Sequence, residues 1–288
     1  MSHLVAYAGN EPENMACALF SARGALYSRG ERRDGWGLGF VQGGDVLLQK
    51  RPRADTGEVD LYNLVKDLRA DAFVGRVGFG HGGLGAEGNT AAEDADPFRF
   101  RSWLFGSVGE VSEAGFESVR EKLLESVPDF LRRNIRGRST GELVFHLFLA
   151  FLHDAGSLDA PSPSPVLVHS ALRNSVAFLD RLLVSVTGGD TPTAPSRLAL
   201  VATNGRFLIA ANGAHPMRFL PIEGISDCPV CHSRLDREPD DRRLPHESLR
   251  AVIFEANRSI EERGGWQNVP ESSVVIVGPD RVPVVSPL

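Results

Sequence analysis

The sequence predicts an α+β fold, with strands and helices arriving in blocks along the chain. Apolar runs of strand length occur at Leu4–Ala8, Ala72–Gly80 and Ser102–Val108. Stretches with helical character follow at Glu117–Glu125, Leu143–Leu152 and Val166–Val186. A further pair of runs, Leu198–Thr203 and Arg206–Ala211, is joined through Asn204-Gly205, a dipeptide suited to the positive φ angles of a tight hairpin.

The bulk properties narrow the function classes. The chain has 288 residues, 42% hydrophobic and 24% charged, the balance of a globular protein with a sizeable core. A net charge of −6 argues against a broad nucleic-acid or acidic-membrane surface. Cys17, Cys228 and Cys231 are the three cysteines, too few for a disulfide framework. No basic segment followed by an apolar stretch opens the chain, so the expected location is the cytoplasm. No loop is long enough to force a break. The expected organisation is one domain over 1–288, with a Cys-x-x-Cys insertion around 226–246.

Leu4–Ala8 is apolar without alternation, which predicts a strand buried on both faces. Pro12 to Leu26 reads as a helix, with Pro12 in the first turn and Met15, Ala18, Leu19 and Ala22 on one side. Cys17 falls in that helix and reads as a small core residue. Gly30 to Phe40 holds four glycines interleaved with Trp36 and Phe40, and a Gly43-Gly44 turn leads into Val46–Leu48. Glycines in a strand mark close approach of another segment to the backbone. No Gly-Lys-Ser/Thr follows, so this is not a phosphate loop. Leu143–Leu152 is apolar on nearly all sides, predicting a helix buried between layers and too short to cross a bilayer. The proline-rich 160–165 stretch precedes the next helix and 188–195 is a loop. Ser248–Glu255 and Ser273–Val277 read as strands, and no internal repeat is present.

Several blocks, in order, carry a resemblance. The opening Met1-Ser2-His3-Leu4-Val5-Ala6-Tyr7 resembles the Met-Cys-Arg-Leu-Leu-Ala-Tyr start of class II glutamine amidotransferases, N-terminal-nucleophile hydrolases. Asp34-Gly35-Trp36-Gly37-Leu38-Gly39 is similar to that family's Asp-Gly-Trp-Gly-Ile-Gly strand. The likeness continues through Phe79-Gly80-His81, Asp96-Pro97-Phe98, Trp103-Leu104-Phe105 with Gly109, Thr140 with Glu142, and Trp266 with Val269–Val274. It implies a four-layer αββα sandwich with the nucleophile at the start of a central strand. It also implies Ser2 and Gly109 as catalytic residues, with His81, Gly35, Trp36 and Asp96 lining the substrate site.

Ser2 bears directly on this. A small second residue favours removal of Met1, leaving a hydroxyl and a free α-amine on one residue. An α-amine with a pKa of about 8 can act as general base for its own side chain.

The departures from the family are chemical. Serine stands where the family has cysteine. The family's His-Val-Arg reads His81-Gly82-Gly83, or Arg76-Val77-Gly78, and either way a glycine replaces the arginine that clamps a carboxylate. Asn-Thr-His-Pro-Phe reads Asp94-Ala95-Asp96-Pro97-Phe98, and the oxyanion block His-Asn-Gly reads Ser107-Val108-Gly109. Val108 offers no side-chain donor, leaving the Gly109 N–H; losing one such donor typically costs ~10²–10³ in rate. Thr-Asp-Ser-Glu reads Ser139-Thr140-Gly141-Glu142 and loses a carboxylate. The framework persists while the glutamine-reading residues do not. His81 reads either as a pocket residue beside Ser2 or as a satisfied histidine at a strand end.

Cys228-Pro229-Val230-Cys231-His232 is the other sharp motif. Haem attachment belongs to exported proteins, and a redox dithiol needs a thioredoxin-like setting. A zinc site with His232, His246 or His215 completing the shell fits better, although the second cysteine pair of a zinc ribbon is missing. Two reduced cysteines in a turn, or zinc shared across a homodimer, stay open.

Three functions therefore stand. One is an amidohydrolase using Ser2 on a non-glutamine or γ-glutamyl amide, with no cofactor required and a small-molecule amide as substrate. Another is a degenerate relative that binds or regulates a partner protein. The last is a zinc or redox protein built on Cys228 and Cys231.

Overall fold

The computed structural model describes residues 3–29, 35–51, 58–78, 92–110, 116–187, 197–231, 246–257 and 264–288. In chain order these form β1 (His3–Gly9), α1 (Met15–Ser21), β2 (Tyr27–Arg29), β3 (Trp36–Gln42), β4 (Asp45–Arg51), β5 (Glu58–Asp60), α2 (Leu61–Val65) and β6 (Ala72–Val77). Then come β7 (Phe98–Phe100), β8 (Trp103–Glu110), α3 (Phe116–Ser126), α4 (Asp129–Arg132), α5 (Thr140–Asp154) and α6 (Pro165–Thr187). The last part holds β9 (Arg197–Thr203), β10 (Leu208–Gly213), β11 (Met217–Ile225), β12 (His246–Asn257), β13 (Gln267–Asn268), β14 (Ser273–Val277) and β15 (Pro283–Pro287).

Two antiparallel sheets form the centre. One runs β13-β11-β12-β1-β6-β3-β4 and the other β15-β14-β10-β9-β8-β7, with β2 and β5 as a separate pair. Leu4, Ala6 and Ala8 of β1 meet Leu104, Val108, Val201 and Ala210 between the sheets. Val5 and Tyr7 face the opposite way, onto Met15, Leu19 and Leu61 from the layer of α1 and α2. On the far side, Trp103, Phe105 and Ile209 pack under α3, α5 and α6. The order of layers is helix, sheet, sheet, helix, the αββα arrangement that the resemblance implies. Because β1 is covered on both faces, all seven of its residues are buried. That is why the run Leu4–Ala8 is continuously apolar rather than alternating. The edge strand β4, in contrast, alternates and carries Gln49, Lys50 and Arg51, while β15 at the edge of the other sheet begins and ends on proline.

Several elements differ from expectation. The predicted 12–26 helix is split into a 3₁₀ turn (Pro12–Asn14), α1, and a second 3₁₀ turn (Arg23–Ala25). Ala22 N–H already bonds three residues back to Leu19 O at 3.1 Å, and Ala25 N–H to Ala22 O at 2.7 Å, so the chain tightens and turns into β2. Helix α5 is buried along nearly its whole length, but on the outer face of the second sheet beneath α6. There Phe145 stacks on Phe105 with ring centroids 5.1 Å apart, and Phe148 meets Trp103 edge-on at 5.2 Å.

The Asn204-Gly205 hairpin forms, but through a longer loop. Asn204 Oδ1 accepts from the N–H groups of Arg206 (3.1 Å) and Phe207 (3.0 Å), and only Gly205 takes a positive φ, 84°. Strand β11 is absent from the sequence reading, since Pro221 and Gly224 interrupt it. Proline is tolerated there because, among the described residues, β13 pairs only with Arg218 and Phe219 and no strand pairs with β11 on that side at Pro221. No described helix is long and apolar enough to cross a membrane.

Candidate functional site

The start of β1 lies at one end of the sandwich. His3 pairs with Val77 of β6 and Asn257 of β12, and Trp36 of β3 also pairs with Val77. From the second sheet, Gly109 and Gly213 both pair with Leu198 of β9. Ser2 and His81 lie outside the described residues, as does His232.

His3 shares the outer face of β1 with Val5 and Tyr7 and is 2% exposed. Its Nε2 is 3.2 Å from Glu255 Oε1. Glu255 Oε2 accepts from Arg218 Nε at 2.7 Å and from Arg218 Nη2, and the Arg218 guanidinium lies 4.4 Å from the Trp266 ring centroid. Burial pushes the Glu255 carboxyl up, but the contacts with His3 and Arg218 outweigh it and hold the carboxyl below its usual range. A buried carboxylate is thereby fixed against His3, the residue that follows Ser2 in sequence. Nothing in the sequence pattern marks this group, because its three members come from β1, β11 and β12.

The interior side carries a second charge group. Arg76 Nε donates to Gly78 O at 3.1 Å, and Nη1 donates to Ser107 O across the gap between the sheets. The sequence reading left no guanidinium at this end, whereas the structure sets Arg76 of β6 opposite Leu4. Both of these hydrogen bonds go to backbone carbonyls.

Asp96 Oδ1 accepts from Ser107 N–H at 2.7 Å and Ser107 Oγ at 3.0 Å. Burial raises its pKa, against the pull of Arg76 and those hydrogen bonds. Gly35 O accepts from Gly78 N–H at 3.0 Å, and the Trp36 ring lies in the apolar layer shared with Val5 and Phe73. The glycines around Trp36 have a packing role. A Cβ on Gly37 would lie 2.0 Å from Asp96 O, and one on Gly39 2.3 Å from Leu104 Cδ1. The close approach that these glycines predict is thus made by the 96–97 segment and Leu104.

Gly109 has φ 126°, and a Cβ there would lie 1.8 Å from Arg197 O, so only glycine fits. Val108 belongs to the core between the sheets. Glu142 accepts from the N–H groups of Arg136 (2.8 Å) and Gly137 (2.7 Å), fixing the chain that enters α5, whose N-cap is Ser139.

A cleft of about 900 Å³ opens at this end, lined by Asn212, His215, Arg218, Trp266, Asn268 and Glu271. Pro216 O accepts from Asn257 N–H at 3.2 Å, which places the cleft beside the strand that flanks His3. Burial, assisted by the Arg76 charge, pushes the His215 imidazole down to about 4, so it is neutral at physiological pH. A neutral imidazole in a polar cleft can donate or accept a hydrogen bond from an amide. His215 entered the sequence reading only as a metal ligand, and the structure places it here, away from the cysteines.

At the opposite end, Cys17, Cys228, Cys231 and His246 converge, with ligand atoms all within 4.8 Å of one another. Cys17 Sγ is 3.8 Å from Cys231 Sγ, and Cys231 Sγ is 3.3 Å from His246 Nε2. None of the three cysteines is in a disulfide, and all three are buried. Burial and the neighbouring Cys228 push the Cys17 thiol up, opposite to the low pKa of a redox or nucleophilic cysteine. These four residues could hold a metal ion. Cys17, read from sequence as a core residue, is part of the group; a lone cysteine in an apolar helix carries no spacing signal.

No protein-family model matches the chain, and no curated protein does. Solved structures do resemble it. A glutamine aminotransferase class-II domain protein from Silicibacter pomeroyi superposes with a TM-score of 0.59 at 16% identity, covering 99% of this chain and 98% of that one. A Pseudomonas aeruginosa protein described as a predicted glutamine amidotransferase gives 0.51 at 14% identity over 97% and 94%. The B. subtilis glutamine phosphoribosylpyrophosphate amidotransferase gives 0.52 at 13% over 99% of this chain and 49% of that one. This chain therefore has the fold of class II glutamine amidotransferase domains.

Proposed function

We propose that the protein is an N-terminal-nucleophile amidohydrolase that uses Ser2 on an amide other than glutamine, including γ-glutamyl amides. The carrying observation is the position of β1. It is a central strand of an amidotransferase-type sandwich, and its first residues sit at the end where the cleft opens. After removal of Met1, the Ser2 α-amine would take the hydroxyl proton as Oγ adds to the amide carbonyl; it would return that proton to the amine that leaves as the C–N bond breaks, and water would then hydrolyse the acyl-serine to the acid. The Gly109 N–H would supply what remains of an oxyanion site. The neutral His215 and the cleft amides would contact the substrate. The substrate is a small molecule, and the protein acts in the cytoplasm.

The shift away from glutamine is supported by what surrounding groups are engaged in. Asp96 and Glu142 accept hydrogen bonds from neighbouring backbone, and Val108 fills the core. The same facts support a second reading, a binding or regulatory relative that lacks turnover. A screen of γ-glutamyl and simple amides against wild type and Ser2→Ala separates the two. Turnover lost in Ser2→Ala supports the hydrolase; no turnover with ligand-dependent thermal stabilisation in both proteins supports the binding protein. We also infer that Cys228 and Cys231 serve zinc binding and take no part in amide chemistry.

A further inference from the structure

The cysteine group is more complete than its sequence motif. Cys228 and Cys231 come from the segment after β11, Cys17 from the buried face of α1, and His246 from the first residue of β12. In a tetrahedral site with Zn–S of about 2.3 Å and Zn–N of about 2.0–2.1 Å, sulfurs lie about 3.8 Å apart and sulfur lies about 3.6 Å from nitrogen. The observed 3.8 Å for Cys17–Cys231 and 3.3 Å for Cys231–His246 are close to those edges. A disulfide would need about 2.05 Å. Val230, Phe20 and Ile225 pack around the thiols, so the group is walled by apolar side chains.

We propose that Cys17, Cys228, Cys231 and His246 form a closed structural Cys₃His zinc site that staples α1 to the β11–β12 end of the first sheet. This rests on the zinc reading of Cys228 and Cys231 and adds the other two ligands, the closure and the role. On binding, three thiols release their protons to solvent, three Zn–S bonds and one Zn–N bond form, and no oxidant is involved. Three thiolates and a neutral imidazole around Zn²⁺ leave no open position for water, so the centre does no hydrolysis. Its effect is mechanical. Cys17 is more than 200 residues from the other ligands in sequence, and joining α1 to them by metal stabilises the native state only. Hydrogen bonds run alongside. Ser248 Oγ donates to Glu11 Oε1 at 2.6 Å, and Arg250 N–H donates to Asn10 Oδ1 at 2.8 Å, tying the same start of β12 to the chain entering α1.

The test is metal content of untagged protein under reducing conditions, measured after loading with Zn²⁺ alone and removal of excess. Wild type, Cys228→Ser, Cys17→Ser and His246→Ala are compared. The proposal expects stoichiometric zinc in wild type and a large loss in every variant. Wild-type protein reloaded with Co²⁺ should show thiolate charge-transfer and intense tetrahedral d–d absorption. Chelation of wild type should lower Tm by more than about 5 °C, restored by zinc. The wild-type measurements stand even if a variant fails to fold. Zinc lost in Cys228→Ser but kept in Cys17→Ser or His246→Ala would overturn the four-ligand site while sparing the zinc reading. A wild type that takes up no zinc would overturn both.

Discussion

The two ends of the sandwich differ in how their polar side chains are used. At the β1 start, Asp96, Arg76 and Glu142 hydrogen-bond to nearby backbone, and Glu255 is engaged by Arg218 and His3. At the other end, three thiols and an imidazole converge on one point in an apolar pocket. In the proposed function, the first end keeps the framework of a glutamine site without the groups that would read glutamine. The second has gained a group that the amidotransferase-like motifs do not include. In this reading, chemistry at the first end depends on the N-terminal residue itself, whereas the second holds structure.

The largest effect that would break this contrast is at Ser2. Ser2→Ala should reduce amide hydrolysis to background with the fold intact by circular dichroism; unchanged turnover would remove the nucleophile. Next is the buried ion pair. Glu255→Ala removes the carboxylate facing Arg218, which is 2% exposed, and should cost about 3–5 kcal/mol in urea unfolding. Its pH dependence has a definite sign. The folded Glu255 pKa lies below the ordinary 4.5, so its contribution is present above that value and lost as pH falls through the folded pKa. Stability that does not decline more steeply in acid than in Glu255→Ala would contradict this.

Gly109→Ala should cost at least about 2 kcal/mol, since it meets both the positive φ and the Arg197 carbonyl. A tolerated alanine would mean that the glycine is there for another reason. The smallest effect is at Asp96. Its folded pKa is raised, so ionisation costs stability as pH rises from the ordinary 3.8 through the folded value. Asp96→Asn keeps an acceptor for Ser107 and removes that cost, so it should be within about 1 kcal/mol of wild type and gain on it as pH rises. A loss that grows with pH would show that the carboxylate's charge is needed.

The fold was legible wherever local pattern and burial agree. β1, β3, the 198–211 hairpin and α5 each carry a run or turn that matches the kind of element formed. β11 was not legible, because Pro221 is acceptable only where the neighbouring strand has ended. The break of the 12–26 helix turns on a single tightened turn at Ala22. The sites follow the same rule. Cys228 and Cys231 announce themselves by spacing, but Cys17 joins them only through tertiary packing. His3, Arg218 and Glu255 meet across strands that are far apart in sequence, and His215 becomes a cleft residue only once β10 and β11 are placed. That Val108 has no side-chain donor is plain from sequence; that the side chain fills the core is a matter of sheet packing.

The most direct measurement is the intact mass of untagged protein. The account predicts a chain that begins at Ser2, its α-amine free. Retained Met1 would leave that amine in a peptide bond and contradict the Ser2 mechanism outright.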